Sequence, residues 1–134
     1  MMASHLVKVQ IARPVEEVYL FLAEPRNFPE WAGNPGSAAV PIGGRDWLVE
    51  VPRGRLVVRF SPPNAYGVLD YATFPEGETS GPVTPVRVYA NGKGTEMVLT
   101  WMQRPGTSDE QFASDIAWIE SDLQRLKSLL EIGT

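Results

Sequence analysis

Residues 108–133 have the sequence SDEQFASDIAWIESDLQRLKSLLEIG and decide the fold, because they predict one long amphipathic helix. Ser108, followed three residues later by Gln111, is a capping box that satisfies N–H groups at the helix start. Gly133 suits the residue after the helix end. Apolar residues between these ends recur at steps of three and four, which places them on one face. This stripe consists of Phe112, Ile116, Ile119, Leu123, Leu126 and Leu130. A helix of about 24 residues spans about 36 Å, so it must lie across the rest of the chain.

The composition predicts one ordinary globular domain over residues 1–134. The net charge of −4 and the pI near 5.0 argue against a nucleic-acid partner, which needs a basic surface. No apolar run reaches the roughly 18 residues of a membrane span. The chain has no cysteine, which excludes disulfides and cysteine-based metal sites, and we expect no metal or other cofactor. No signal peptide is evident, so the expected compartment is the cytoplasm.

The chain before residue 108 predicts a strand, two short helices and about six further strands. Alternating apolar residues over 6–11 predict the first strand. Pro14 suits the first turn of a helix over 15–23, and a second short helix is expected over 27–32. Short apolar runs between Gly and Pro then predict strands as far as residue 103. These include a weak strand over 37–42 and a longer one over 66–74.

A first hairpin is predicted to join residues 46–51 to residues 56–60. With Val51 opposite Leu56, the apolar side chains of both strands share one face. They are Trp47, Val49, Val51, Leu56, Val58 and Phe60.

A second hairpin is predicted around Asn91-Gly92, which is a strong hairpin signal. With Ala90 opposite Lys93, Arg87 would face Glu96 and form a cross-strand ion pair. The apolar side chains of these strands also share one face. They are Val86, Val88, Met97, Leu99 and Trp101. A curved antiparallel sheet wrapped around the long helix would bury these faces, which predicts an α+β fold.

The early motifs resemble a known superfamily. The segments IARPVEEV at 11–18 and NFPEW at 27–31, with Phe21 between them, resemble the opening of START-like proteins, also called SRPBCC or Bet v 1-like proteins. The likeness is strongest to the polyketide cyclase/dehydrase-like group. Later features fit the same superfamily: a Gly-bearing hairpin at Gly54, the Arg87-Val88 strand, Asn91-Gly92 before Thr95-Glu96, and the long closing helix.

This resemblance implies a helix-grip fold, in which the sheet curls around the C-terminal helix and leaves a cavity between them. Such a cavity typically takes a lipid, a sterol, a polyketide or an aromatic compound. We therefore expect binding or carriage of a hydrophobic or amphipathic small molecule. An enzyme of the cyclase or dehydratase type acting in the same cavity is one alternative. A protein-interaction module or homodimer with a filled core is the other.

The expected ligand contacts are the large side chains of the inner sheet face and of the first half of the long helix. They are Trp31, Trp47, Val58, Tyr89, Met97, Leu99, Trp101, Phe112, Ile116 and Ile119. Aromatic side chains can stack on a ligand or simply fill a core, and the sequence leaves both interpretations open. Leu123, Leu126 and Leu130 are expected to anchor the helix.

The catalytic candidates are few. Asp70 lies in an apolar strand, where an inward carboxyl would be a candidate acid or base; paired with Arg87, it would instead be a surface carboxylate. Tyr71 is a candidate hydrogen-bond donor to a ligand carbonyl, or a residue that holds a strand edge. His5 is the only histidine, and no local motif supports a His-based triad.

Overall fold

The computed structural model describes residues 1–34, 36–52 and 54–132, and it has the predicted α+β architecture. Two short helices follow the first strand, and one long helix closes the chain. In order, the elements are β1 (Ser4–Ile11), α1 (Val15–Ala23), a 3-10 turn (Pro25–Asn27), α2 (Phe28–Trp31), β2 (Val40–Gly43), β3 (Asp46–Val51), β4 (Gly54–Phe60), β5 (Tyr71–Phe74), β6 (Val83–Thr84), β7 (Val86–Asn91), β8 (Gly94–Met102) and α3 (Asp109–Glu131). The strand expected over 66–74 is shorter than predicted, because only its second half joins a regular ladder.

The strands form one curved antiparallel surface from two hydrogen-bonded sheets. Their orders are β1-β8-β7 and β2-β3-β4-β5-β6. The sheets meet at Pro85, which has no backbone N–H and separates β6 from β7. Beyond this break, Leu69 N donates to Val86 O at 2.9 Å and Val88 N donates to Gly67 O at 3.0 Å. These bonds join the two sheets, so the surface curves without opening.

Helix α3 begins as predicted, since Ser108 Oγ accepts a hydrogen bond from Gln111 N at 3.1 Å. Its apolar stripe is covered unevenly along its length. Leu123 and Leu126 are fully buried, whereas Ile116 in the first half is only partly buried. The anchoring role predicted for the second half is therefore confirmed for these two leucines.

The end of α3 is tied to β1 by side chains. Lys127 Nζ donates to Gln10 O at 2.6 Å, and Glu131 Oε2 accepts from Ala12 N at 2.7 Å. The expected end residue, Gly133, lies outside the described residues. These two bonds fix the second half of α3 across the first strand.

The predicted register of both hairpins is wrong, but each error keeps the side chains on their predicted faces. Val51 pairs with Gly54 instead of Leu56, because the turn takes two residues rather than four. In the second hairpin the turn consists of Gly92 and Lys93. Gly92 supplies the positive φ of 60° that a two-residue hairpin turn often needs at its first central position. Both registers shift by an even number of positions, so the inner face is unchanged.

The expected ion pair between Arg87 and Glu96 is also wrong for this reason. The register places Arg87 opposite Val98 and Glu96 opposite Tyr89. Arg87 pairs instead with Asp70 on the neighbouring segment.

Candidate functional site

Side chains of α1, α2 and the inner face of the sheet enclose a void of about 10 Å³. A void of this size holds about one water molecule at most. Trp31, Val58, Met97 and Leu99, expected as ligand contacts, are buried core residues here. These four side chains therefore pack within the core rather than around a ligand-sized cavity.

A small pocket opens at the edge of this core. It has a volume of about 160 Å³ and lies between the end of α1, the β2–β3 turn and the inner face of the sheet. Trp47 and Phe60 form part of its wall, and the Arg26 guanidinium lies 4.9 Å from the centre of a Trp47 ring. Leu22, Phe60 and Leu69 line both this pocket and the interior void. The pocket, called the Trp47 pocket below, therefore leads toward the core.

Phe28 lies at the inner end of this path. Its ring packs edge to face on Trp31, Phe60 and Tyr71, with centroid distances of 5.3, 5.6 and 5.5 Å. This is a favoured geometry for aromatic pairs. Phe28 thus fills the space between Phe60, which lines the Trp47 pocket, and Tyr71, which lies deeper.

Asp122 is a buried acid within the apolar interface between α3 and the sheet. It is 7% exposed, and its Oδ1 has no hydrogen-bond partner. The nearest cation is Arg125, whose Nη2 lies 3.5 Å from Oδ1, while its Nη1 donates to Trp31 O at 2.9 Å. Burial raises the pKa of Asp122 to about 7, and Arg125 opposes that rise. A buried acid with an unpaired oxygen is costly, so its presence in the stripe needs an explanation.

Tyr71 and Arg104 complete a polar cluster with Asp122. The Tyr71 hydroxyl is hydrogen-bonded to Thr84, and burial together with the nearby Asp122 charge raises the pKa of Tyr71 to about 12. Arg104 Nε is buried without a hydrogen-bond partner, and burial lowers the pKa of Arg104. Its guanidinium carbon lies 5.4 Å from the centre of the Trp101 ring. A neutral phenol, a titratable carboxyl and a guanidinium thus meet where α3 crosses the sheet.

The remaining expected contacts divide between the two faces. Trp101, Phe112, Ile116 and Ile119 are partly buried around the first half of α3. The prediction that Tyr89 contacts an interior ligand is wrong. Tyr89 is 53% exposed and lies on the outer face of the sheet. Side chains alternate along a strand, and its neighbour Val88 points inward, so Tyr89 cannot.

Asp70 and Arg87 form the surface pair that the sequence allowed as one alternative. Arg87 Nη1 donates to Asp70 Oδ1, and the same oxygen accepts from Val86 N at 2.8 Å. Both side chains are partly exposed. This pair ties the 67–74 segment to β7, and nothing in its geometry points to the interior.

The sequence analysis missed two members of the polar cluster. Asp122 follows Ile119 by three residues and precedes Leu126 by four, so an acid within the apolar stripe was a readable signal. Arg104 follows the last strand and lies next to Pro105, where no periodic pattern indicates its direction.

Metal-ligand clusters and membrane-spanning helices are both absent from the described parts of the chain. No group of three or more His, Asp or Glu side chains there is arranged to hold a metal ion. No helix there has the length and apolar character needed to cross a bilayer.

Comparison with known proteins shows what kind of fold this is. No protein-family model matches the sequence, and no curated protein matches it significantly. Solved structures do match. The Aha1 dimer from Colwellia psychrerythraea has a TM-score of 0.75 at 16% identity, covering 99% of each chain. CalU16 from Micromonospora echinospora has a TM-score of 0.67 at 17% identity, covering 97% of this chain and 75% of its own.

A third match is DynU16, described as a protein of the dynemicin biosynthetic locus. It has a TM-score of 0.71 at 22% identity, covering 98% of this chain. The present chain spans about half the length of DynU16, 48%. Together these matches show that the chain shares the fold of these proteins, a curved antiparallel sheet with a long C-terminal helix, which is the helix-grip architecture that the early motifs imply.

Proposed function

We propose that this chain, as a single domain, binds or carries a small hydrophobic or amphipathic molecule between the sheet and α3. The observation that carries the proposal is the buried Asp122 carboxyl inside an otherwise apolar interface, whose Oδ1 lies 3.5 Å from Arg125 but accepts no hydrogen bond. A hydroxyl or amine of a ligand would donate to Oδ1 and relieve the cost of leaving it unpaired.

The proposed route to this carboxyl runs by way of Tyr71. The Trp47 pocket shares three lining residues with the interior void, and Tyr71, which lines that void, is close enough to Asp122 for its charge to raise the Tyr71 pKa. The pocket volume of about 160 Å³ is below the roughly 300 Å³ of a typical ligand pocket. Binding of anything larger than a small aromatic group would therefore require Phe28 to move.

The ligand class is inferred from the lining. Trp47 and Phe60 offer aromatic surfaces, and the polar cluster offers one acceptor and one cation, which together suit a phenol or an oxygenated aromatic compound. Similarity to a protein of the dynemicin biosynthetic locus supports testing aromatic and polyketide-like compounds before lipids.

A matched pair of probes tests the proposal. 2-Naphthol is expected to raise the melting temperature and to bind more tightly than 2-methylnaphthalene, which lacks the hydroxyl. Trp47→Leu should weaken the binding of 2-naphthol, whereas Trp118→Leu, at an exposed position, should not. Equal binding of the two probes, or equal weakening by the two variants, would show that binding occurs elsewhere.

An enzyme of the cyclase or dehydratase type is the second candidate, favoured by the pKa of Asp122. A group with a pKa of about 7 can donate or accept a proton near neutral pH, and Tyr71 lies beside it. In that case the small molecule retained by the wild type and by Asp122→Asn should differ by one water molecule. Mass spectrometry of the retained molecules distinguishes carriage from dehydration, since a carrier with Asp122→Asn retains less of an unchanged molecule rather than one that differs by water.

An interaction module is the third candidate, and its supporting observation is the filled core. The similar Colwellia protein was solved as a dimer, and Val40 and Ile42 on β2 are exposed. Sedimentation equilibrium tests a homodimer through this strand, since Ile42→Lys would then shift the chain toward the monomer.

A further inference from the structure

A second concave surface lies on the outside of the fold, on the far side of Tyr19 from the Trp47 pocket. This outer groove runs between α1, the 64–67 loop and β7, and has a volume of about 490 Å³. That is about three times the volume of the Trp47 pocket, and within the range of small-molecule sites. It differs from the interior site in position and in chemistry.

Tyrosines dominate the groove. Three of the four tyrosines of the chain, Tyr19, Tyr66 and Tyr89, line it. Tyr66 is 84% exposed, Tyr89 is 53% exposed, and the neighbouring Leu20 is 69% exposed. Large aromatic side chains gathered at one exposed place are a common mark of a recognition site.

The charge of the groove has one sign. Glu16 is the only charged residue in its lining, and no ion pair involves Glu16 among the described residues. Tyrosine ring faces attract cations through their quadrupole, and a carboxylate adds attraction of the same sense. An anion would meet repulsion here, while a neutral molecule would gain only apolar contact.

The wall of the groove is held in place by its own hydrogen bonds. Asn64 Oδ1 accepts from Tyr66 N at 2.9 Å and from Val68 N at 3.1 Å. Asn64 N donates to the Tyr19 hydroxyl at 2.9 Å. Gly67, with a φ of 70°, packs so closely that a Cβ there would collide with Val88 O. The loop that presents Tyr66 is therefore built in advance of binding, which lowers the entropic cost of binding.

We propose that the outer groove is a second binding site, specific for a small organic cation such as an ammonium group that carries an apolar or aromatic substituent. The cation lies against the tyrosine faces near Glu16, and the substituent packs on Val15 and Leu20. The outer groove and the Trp47 pocket are separate concave surfaces that share only Tyr19 among their lining residues.

The test is an NMR titration of the isotope-labelled chain with benzyltrimethylammonium, with benzyl alcohol and benzoate as the neutral and anionic comparisons. The cation is expected to cause saturable shifts at the amides of 15–20, 64–67 and 88–90. Benzyl alcohol should bind more weakly and benzoate should not bind there. Tyr66→Leu and Glu16→Gln should each weaken cation binding by about two- to fivefold, the size expected of an exposed cation–π or charge contact.

Two variants control for surface effects. Trp118→Leu removes another exposed aromatic side chain, and Glu30→Gln removes another exposed acid; neither lines the groove, and neither should change the affinity. Equal affinity for benzyl alcohol and benzyltrimethylammonium would show that the groove offers only apolar contact, with no preference for positive charge, and would overturn the proposal. Shifts that map to the Trp47 pocket, or no saturable shifts at millimolar concentrations, would overturn it as well.

Discussion

Asp122 occupies a position of the α3 stripe where a leucine would pack without electrostatic cost. Its carboxyl is buried, its Oδ1 has no hydrogen-bond partner, and the nearest cation approaches only to 3.5 Å. The groups that interact with it are the charge of Arg125 on its own helix and the Tyr71 phenol on β5, and Tyr71 in turn interacts with Arg104 after β8. Such an arrangement lowers stability when the acid is ionised.

Asp122→Asn is expected to remove a pH dependence of folding. The folded pKa of about 7 lies above the unfolded value of 3.8, so the folded state holds the proton more tightly between these values. The contribution of Asp122 to the free energy of unfolding therefore falls as pH rises from about 4 to 7. Relative to the wild type, Asp122→Asn should gain on the order of 1–3 kcal/mol between pH 4 and pH 8.

Urea denaturation at these two pH values measures the difference. The comparison must be between wild type and variant, because lowered carboxylate pKa values such as those of Asp46 and Glu131 give the wild-type curve an opposite slope. Glu120→Gln, at an exposed position of α3, is the control and should show no such gain. A pH-independent difference for Asp122→Asn would mean that this acid stays ionised in the fold.

Phe28 is the residue whose size is expected to limit ligand entry. Phe28→Leu should cost about 1–2 kcal/mol of folding free energy through lost packing. The same change should tighten the binding of 2-naphthol, because the Trp47 pocket and the interior void then merge. Calorimetric titration checks this. Weaker binding would show that the Phe28 ring is itself a ligand contact.

Helix α3 is buried unevenly along its length, and the sequence predicted that Leu123 and Leu126 would anchor it. Both hairpin registers are shifted by an even number of residues. This shows why the face on which a strand residue lies is easier to predict than the residue with which it pairs. Alternation fixes the face of each strand residue, whereas the exact turn depends on whether Gly92 takes the first or second central position. The wrong prediction for Tyr89 came from ignoring this rule. Val88 was assigned to the inner face, so its neighbour Tyr89 had to lie on the outer one.

Replacing apolar side chains of α3 by alanine should show that its second half contributes more to stability than its first. Leu126→Ala removes a fully buried side chain and should cost about 3 kcal/mol. Ile116→Ala removes a partly exposed one and should cost about 1 kcal/mol. Denaturant unfolding gives both values. Similar costs would mean that the first half of α3 is as tightly packed as the second.

At the scale of the molecule, the fold was predictable because the capped closing helix, the early motifs and the alternating strands all indicate the same architecture. The site was not, for two physical reasons. The interior volume depends on how Phe28 and its aromatic neighbours pack, and no periodicity encodes that packing. The polar cluster brings together Tyr71, Arg104 and Asp122, and that meeting depends on where α3 crosses the curved sheet.

Native mass spectrometry of the purified chain tests the central claim, that a small molecule binds against Asp122 between the sheet and α3. We expect the wild type to bind one hydroxylated aromatic molecule per chain, either co-purified or added. The bound molecule should be lost or markedly depleted in Asp122→Asn and in Trp47→Leu, but not in Trp118→Leu. A wild-type chain that retains no such molecule, even with 2-naphthol in excess, would contradict the account, as would equal retention in all three variants.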